Sequence, residues 1–299
     1  MVVSGTVPTE LGDKKIRDLL MQYAVPAIIA MTASSLYNMV DSIFIGHIKD
    51  VGSYAISGLA VTFPLMNIST ALGTLVGVGA STILSMLLGQ RNYQAANKVI
   101  INEVMLNVII GTLYTVITLV FLDPILMFFG ASANTLPYAR DYMVIILIGN
   151  VITHLYFGLN NIIRASGNPK LAMALTIFTV VSNTILDPIF IFWLDMGIKG
   201  AALATVICQL LALVYTVRYF LSGKNYLRLP RRMSEYRLDW RIAKDSLTIG
   251  MGPFLMNSAA CIVTMFINQQ LSKYGGDLAI GAYGIVNRFT FLFIMVNMG

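Results

Sequence analysis

Charge is what this chain lacks. Asp, Glu, Lys and Arg make up 11% of its 299 residues, where a soluble domain carries about 25%. So few charges cannot coat a water-facing surface, and hydrophobic residues reach 57% with a mean hydropathy of +0.76. Cysteine is scarce too. Cys208 and Cys261 both lie in apolar runs with no paired spacing, which excludes a disulfide framework or a thiolate metal site and leaves them as packing residues. Also missing is an early apolar segment ahead of a small-residue cleavage site, since the chain is polar through Asp18. A cleaved signal peptide is therefore not expected, and the first span serves as the insertion signal.

What is present is a series of apolar runs, each long enough to cross a bilayer, which takes about 20 residues. The sequence predicts an all-α polytopic membrane protein with eight spans near 17–46, 55–88, 98–121, 138–161, 171–193, 198–221, 242–272 and 278–299. The first, second and seventh are longer than a crossing requires and must tilt, bend or project. Pro26 and Pro253 offer bend points, because proline removes a helix hydrogen bond. The net charge of +6 is not a nucleic-acid signal, because Lys and Arg sit between spans. They gather in the N-terminal segment (Lys14, Lys15, Arg17) and the even connections, including Arg91, Lys98, Arg164 and Lys170. The odd connections carry only Lys49, Arg140, Lys199 and Lys273. This bias predicts a cytoplasmic N-terminus.

The sixth connection, 222–241, is the most basic, with Lys224, Arg228, Arg231, Arg232, Arg237 and Arg241 interleaved with Tyr226, Leu227, Leu229, Met233, Tyr236, Leu238 and Trp240. It reads as a cytoplasmic linker lying on anionic headgroups. It divides a lobe at 1–221 from the start of another at 242–299. The seventh span begins a faint repeat: an offset of 227 aligns Pro26 with Pro253 and Asp41 with Asn268. Six spans per unit is even, so both copies share one orientation about an axis along the membrane normal. The expected architecture is a six-helix N-terminal lobe plus the first two helices of a second, parallel-repeat lobe. Apolar sequence still runs at Gly299, so the expectation is a C-terminally truncated protein.

Two aspartates, Asp41 and Asp187, fall inside apolar runs. An acid within a span is costly and marks a functional site by default. Asp41 precedes Gly46 by five residues, Asp187 precedes Trp193 by six, and Thr205 follows Lys199 by six. At 1.5 Å per residue, each lies ~8–9 Å below the same membrane face. Helical spacing extends the pattern: Ser34, Asn38 and Asp41 share one face, as do Thr179, Asn183 and Asp187, and Thr205 with Gln209. Polar stripes in a membrane face the bundle interior. Pro188 after Asp187 frees a backbone carbonyl. Such hard oxygens suit a small cation, so Asp41 and Asp187 would be metal ligands for Na⁺ if coupling uses sodium. A proton is the other candidate ligand, and no cofactor is expected.

Other polar residues in spans read less sharply. Glu103 sits near the start of the third span and is expected to be an interfacial acid that snorkels. Arg288 is deeper and must find a carboxylate or carbonyl. Asn150 and His154, with Asn160 and Asn161, suggest a polar stripe on the fourth span, where a hydrogen-bonded bundle role suits the histidine better than a relay. Gly73, Gly77 and Gly79 read as close helix packing. Met31, Tyr37, Phe63 and Met66 could line a cavity together with Asn38, Asn150, His154 and Gln209, although plain packing explains the spacing of the apolar ones as well.

Several stretches together resemble one family. Asn38-Met-Val-Asp41-Ser-Ile-Phe-Ile-Gly46, the small-residue run Gly73–Gly89 with Gln90, Arg164-Ala-Ser-Gly-Asn-Pro169, Asn183-Thr-Ile-Leu-Asp187-Pro188 and Gly197-Ile-Lys-Gly-Ala-Ala202 resemble motifs of the multidrug and toxic compound extrusion (MATE) family, most closely its DinF-like and MepA-like branch. The resemblance implies a twelve-span antiporter of two six-helix lobes that exports cationic or amphipathic small molecules against protons or sodium. It would be a monomer when full length, a multi-pass protein of the bacterial inner membrane in contact with lipids, and not an enzyme. It also implies a cation site at Asp41, Asn183, Asp187 and Thr205 and a bending proline at Pro26. One departure is that Asn268 and its neighbours supply no acid in the seventh span, where the NorM-like branch has one. The alternatives are a lipid-linked oligosaccharide flippase, which needs a strongly cationic cavity, an intramembrane aspartyl protease, whose Gly-x-Gly-Asp motif is absent, and an inactive fragment.

Overall fold

The computed structural model describes residues 15–298 apart from 50, 223–225, 231, 233 and 234, and without the side chains of 291, 292 and 295–298. Lys14, Lys224, Arg231 and Met233 lie outside the described residues. The elements are helices α1 (Ile16–Gly46), α2 (Gly52–Gly89), α3 (Tyr93–Val120), a short α4 (Leu122–Phe128), α5 (Leu136–Ile148), α6 (Asn150–Ala165), α7 (Pro169–Pro188) continuing as a π-helical turn (Ile189–Trp193), α8 (Ile198–Leu221) and α9 (Trp240–Met298). Asn92 caps α3 by accepting from the Ala95 N–H at 3.1 Å. Asn168 caps α7 through the Leu171 N–H at 3.4 Å, with Pro169 beginning the helix where its missing N–H costs nothing.

The protein is an all-α polytopic helical bundle. Among the described residues, six helices are long and apolar enough to cross a membrane. A seventh crossing arises if α5 and α6 form one broken span. That pair occupies the region expected as one span at 138–161, and its two helices meet at 56°. The bend is at Gly149, where a Cβ would sit 2.4 Å from the Val206 side chain on α8. The long α9 is interrupted at Gly276, whose φ of 67° is open to glycine at little cost. Pro26 lies buried within α1, which runs on through it as helix.

The outer faces carry large apolar side chains, among them Val120, Ile185 and Trp193, as a lipid-facing surface requires. Two apolar cores close the bundle at opposite ends. One gathers Ile45, Leu59, Leu65, Leu126, Tyr142, Ile191 and Ile280. The other gathers Leu84, Ile100, Tyr156, Ile163, Phe220 and Leu227. Helix α2 runs through both and packs antiparallel along α9. Small residues permit the close approach: a Cβ on Gly79 would lie 1.9 Å from the Ser246 carbonyl oxygen, and one on Gly250 1.8 Å from that of Leu75. Between the two cores lie the polar residues.

Candidate functional site

Asp41 lies in the next-to-last turn of α1, and Asp187 in the last turn of α7, just before Pro188 and the π turn. Proline denies that turn one N–H, and π turns concentrate at functional sites. Both acids are buried, at 4% and 0% exposure. They interact electrostatically with each other. On α7, one turn before Asp187, Asn183 donates through Nδ2 to Asp187 Oδ1 at 3.1 Å and to Thr205 Oγ1 at 3.4 Å. Thr205 donates its own hydroxyl proton to the Ala201 carbonyl at 3.1 Å. A hydroxyl has a single proton, so Tyr37 must be the donor in its 2.8 Å contact with Thr205 Oγ1.

These bonds tie α1, α7 and α8 together and leave oxygens over. Asp41 Oδ1, Asp187 Oδ2 and Asn183 Oδ1 are buried and meet no donor among the described residues. A buried acceptor without a donor is costly, and a bound proton or small cation would relieve that cost. The donor set of two carboxylates, an amide and a hydroxyl fits Na⁺ as well as it fits a proton. Among the described residues, no three or more His, Cys, Asp or Glu are grouped so as to hold a metal ion, so any bound cation would rest on neutral oxygens beside the two acids.

A cavity of about 240 Å³ opens beside this cluster. Ser34, Tyr37, Asn38, Met66, Asn150, Thr179, Asn183, Thr205 and Gln209 line it, together with Ser69, Thr153, Tyr156, Phe157 and Thr176. Its lining contains no Lys or Arg. Thr153 donates to Gln209 Oε1 across α6 and α8. Ser69 donates to Asn150 Oδ1 at 2.6 Å and meets His154 Nε2 at 3.0 Å. Ser69 and Thr153 escaped the sequence reading, although Ser69 lies one turn before Gly73 and so shares its face.

Not every expected lining residue reaches the cavity. His154 is buried behind its wall at 2% exposure. Phe63 lies instead in a small crevice with Asn268 and Arg288, and Met31 is not part of the cavity lining. Arg288 donates to the Asn38 carbonyl at 2.9 Å and interacts electrostatically with Asp41. Tyr142 on α5 joins the same electrostatic cluster, a participant the sequence did not flag. Glu103 is the clear correction. It is fully buried at 0% exposure, not interfacial, because α3 begins at Tyr93, five residues earlier than the expected start at 98. That places Glu103 about 15 Å along the helix.

A helical membrane bundle with two buried carboxylates beside a polar cavity defines a polytopic membrane protein built around an intramembrane acidic site. Residues 26–189 match the profile of the MatE family, and the chain belongs to that family. It is 30% identical over 280 residues to the multidrug export protein MepA of Staphylococcus aureus (strain MSSA476), covering 94% of this chain and 61% of that protein. The MepA of Staphylococcus haemolyticus (strain JCSC1435) is 32% identical over 287 residues, covering 96% and 62%. The solved structure of the MATE multidrug transporter DinF-BH superposes with a TM-score of 0.90 at 34% identity, over 98% of this chain and 65% of that one. An outward-facing MATE family transporter of the MOP superfamily shares the fold at a TM-score of 0.84 and 24% identity, over 98% and 64%. The chain thus spans 61–62% of the length of these curated relatives.

Proposed function

We propose that this chain is the larger part of a cation-coupled exporter of amphipathic or cationic small molecules in a bacterial inner membrane, acting by transport and not by catalysis. The observation that carries this reading is the buried Asp41–Asp187 pair, linked through Asn183 and Thr205 to the wall of a cavity. Asp41, Asn183, Asp187 and Thr205 bind the coupling ion, H⁺ or Na⁺. Tyr37, Asn38, Met66, Asn150 and Gln209 face the exported molecule. Binding at the acids biases α1, with Pro26 as its point of adjustment, and coupling requires that ion and substrate favour different states. Residues 1–221 form a six-span lobe, 222–241 a basic linker, and 242–299 the first two spans of a second lobe, with the break at Gly276 between them. The N-terminus is cytoplasmic and the full-length protein is a monomer. The lipid-linked oligosaccharide flippase reading is disfavoured by the cavity wall, which offers a pyrophosphate no Lys or Arg.

The test is dye efflux from cells expressing the full-length protein, this 299-residue chain and full-length Asp41→Asn, with pH and Na⁺ varied separately. Efflux by the full-length protein that follows one gradient and is lost in the variant, with the variant still in the membrane, supports the reading and names the ion. Undiminished efflux by Asp41→Asn would remove that residue from the mechanism.

A further inference from the structure

A second set of buried polar groups runs from the cavity wall, at Ser69 and Asn150, into the opposite half of the bundle, away from the Asp41–Asp187 pair. Three helices contribute to it at one-turn intervals: Ser69, Gly73 and Gly77 on α2, Glu103, Asn107 and Gly111 on α3, and Asn150, His154 and Gly158 on α6. The antiparallel register of α3 and α6 is fixed at both ends. A Cβ on Gly158 would lie 1.6 Å from Glu103 Oε1, and Asn150 Nδ2 donates to the Gly111 carbonyl at 3.3 Å. Midway, this register sets Asn107 opposite His154. The glycines leave room for the polar side chains: Gly73 and Gly111 border the His154 ring, and Gly158 borders Glu103 and Asn107.

The seam is buried and, among the described residues, short of partners. Glu103 and Asn107 are 0% exposed and His154 2%. Asn107 donates to Glu103 Oε1. Glu103 Oε2, Asn107 Oδ1 and His154 Nδ1 meet no partner among the described residues. Unlike Asp41, Glu103 has no cation beside it among the described residues. The charged and titratable groups on neighbouring elements include His154, Tyr156 and Arg164 on α6, Lys98 on α3 itself, Asp239 ahead of α9, and Arg241, Lys244 and Asp245 within it. Among the described residues, only Asn107 interacts with the Glu103 carboxyl. A carboxylate stripped of water and given one neutral donor is very unstable as an anion, and the neutral acid is the form such a site accepts. At its far end the seam reaches the cavity, which Ser69 and Asn150 line, and Ser69 contacts His154.

We propose that Glu103 is a second proton-binding site, separate from the Asp41–Asp187 pair and held in place by Asn107, which exchanges its proton with the central cavity by way of His154 and Ser69. This inference goes beyond the transport reading and stands without it, since it concerns proton occupancy and not efflux. Infrared difference spectroscopy of the full-length protein in lipid vesicles tests it. The expected result is a protonated-carboxyl band at neutral pH that disappears in Glu103→Gln and persists in Asp41→Asn. Asn107→Leu, which keeps the acid but removes its donor, shifts the band and secures the assignment should Glu103→Gln fail to fold. His154→Leu slows deuterium exchange of the band if the seam is the route. A band unchanged in a folded Glu103→Gln, or one blind to Asn107→Leu, overturns the proton site. Exchange at the parental rate in His154→Leu overturns the route.

Discussion

At the scale of single residues, the site is organised by which group has a proton to give. Thr205 gives its only hydroxyl proton to Ala201 and receives from Tyr37 and Asn183, so Tyr37 helps hold α1 against α8. Removing one neutral hydrogen bond costs about 1 kcal/mol. Tyr37→Phe should therefore shift the ion concentration for half-maximal efflux by about fivefold while leaving the maximal rate near that of the parent. An unshifted ion dependence would detach Tyr37 from the ion site. Gly158→Ala forces a rearrangement, because the new methyl would overlap both Glu103 Oε1 and Asn107 Nδ2, two buried side-chain tips that must move together. Overpacking of this kind costs about 1–3 kcal/mol, so a lowered melting temperature is expected, and Glu103→Gln should not restore it, since glutamine has the same bulk. The burial of Asp41 and Asp187 was legible in sequence because an acid deep in an apolar run must be sheltered from lipid by the bundle. Glu103 was misread because hydropathy blurs helix starts: Asn92 caps α3 earlier than the apolar run suggests, and five residues of extra helix turn an interfacial acid into a buried one. Ser69 left only its place one turn before Gly73 as a signal, and a lone serine in an apolar helix usually bonds its own backbone.

At the scale of elements, the legible features were those set by length and apolarity. The eighth helix matches its expected limits at 198 and 221. The bend between α5 and α6 was hidden, because hydropathy reports what lipid tolerates and not which way a helix points. The bend depends on Gly149 meeting Val206 from a helix more than fifty residues away in sequence. The π turn after Pro188 was hidden for a similar reason: the proline signals a missing bond, but where the chain recovers it depends on packing against α8. Close packing of α2 on α9 gives an element-scale prediction. Gly250→Ala drives a methyl to 1.8 Å from the Leu75 carbonyl oxygen, whereas Gly252, two residues on, has open space. Backbone cannot yield as a side-chain tip can, so Gly250→Ala should destabilise by about 1–3 kcal/mol. Gly252→Ala should be neutral or slightly stabilising, as alanine favours helix over glycine. Equal melting temperatures for the two variants would mean that α2 and α9 do not pack this closely.

At the scale of the whole molecule, the two ends of the bundle differ in charge, and the two buried sites inherit that difference. Arg140 pairs with Asp123 at 3.4 Å and Lys199 with Asp141 at 3.2 Å, at the end nearer Asp41 and Asp187. Arg91, Lys98, Arg164, Lys170 and Arg237 belong to the other end, nearer Glu103. Orientation follows the number of Lys and Arg in short connections, and acids contribute little, so the Glu103 end should face the cytoplasm and the aspartate pair the outside. Single cysteines test this in a background with Cys208 and Cys261 replaced by alanine. A membrane-impermeant maleimide added to intact cells should label Arg140→Cys and Lys199→Cys and spare Arg91→Cys and Arg237→Cys until the cells are opened. The reverse pattern would invert the protein. The aspartate pair would then load from the cytoplasm and Glu103 would lie on the outer side, while the direction of exchange would still be set by the ion gradient. The labelling pattern therefore decides from which side of the membrane each buried acid takes up its ion.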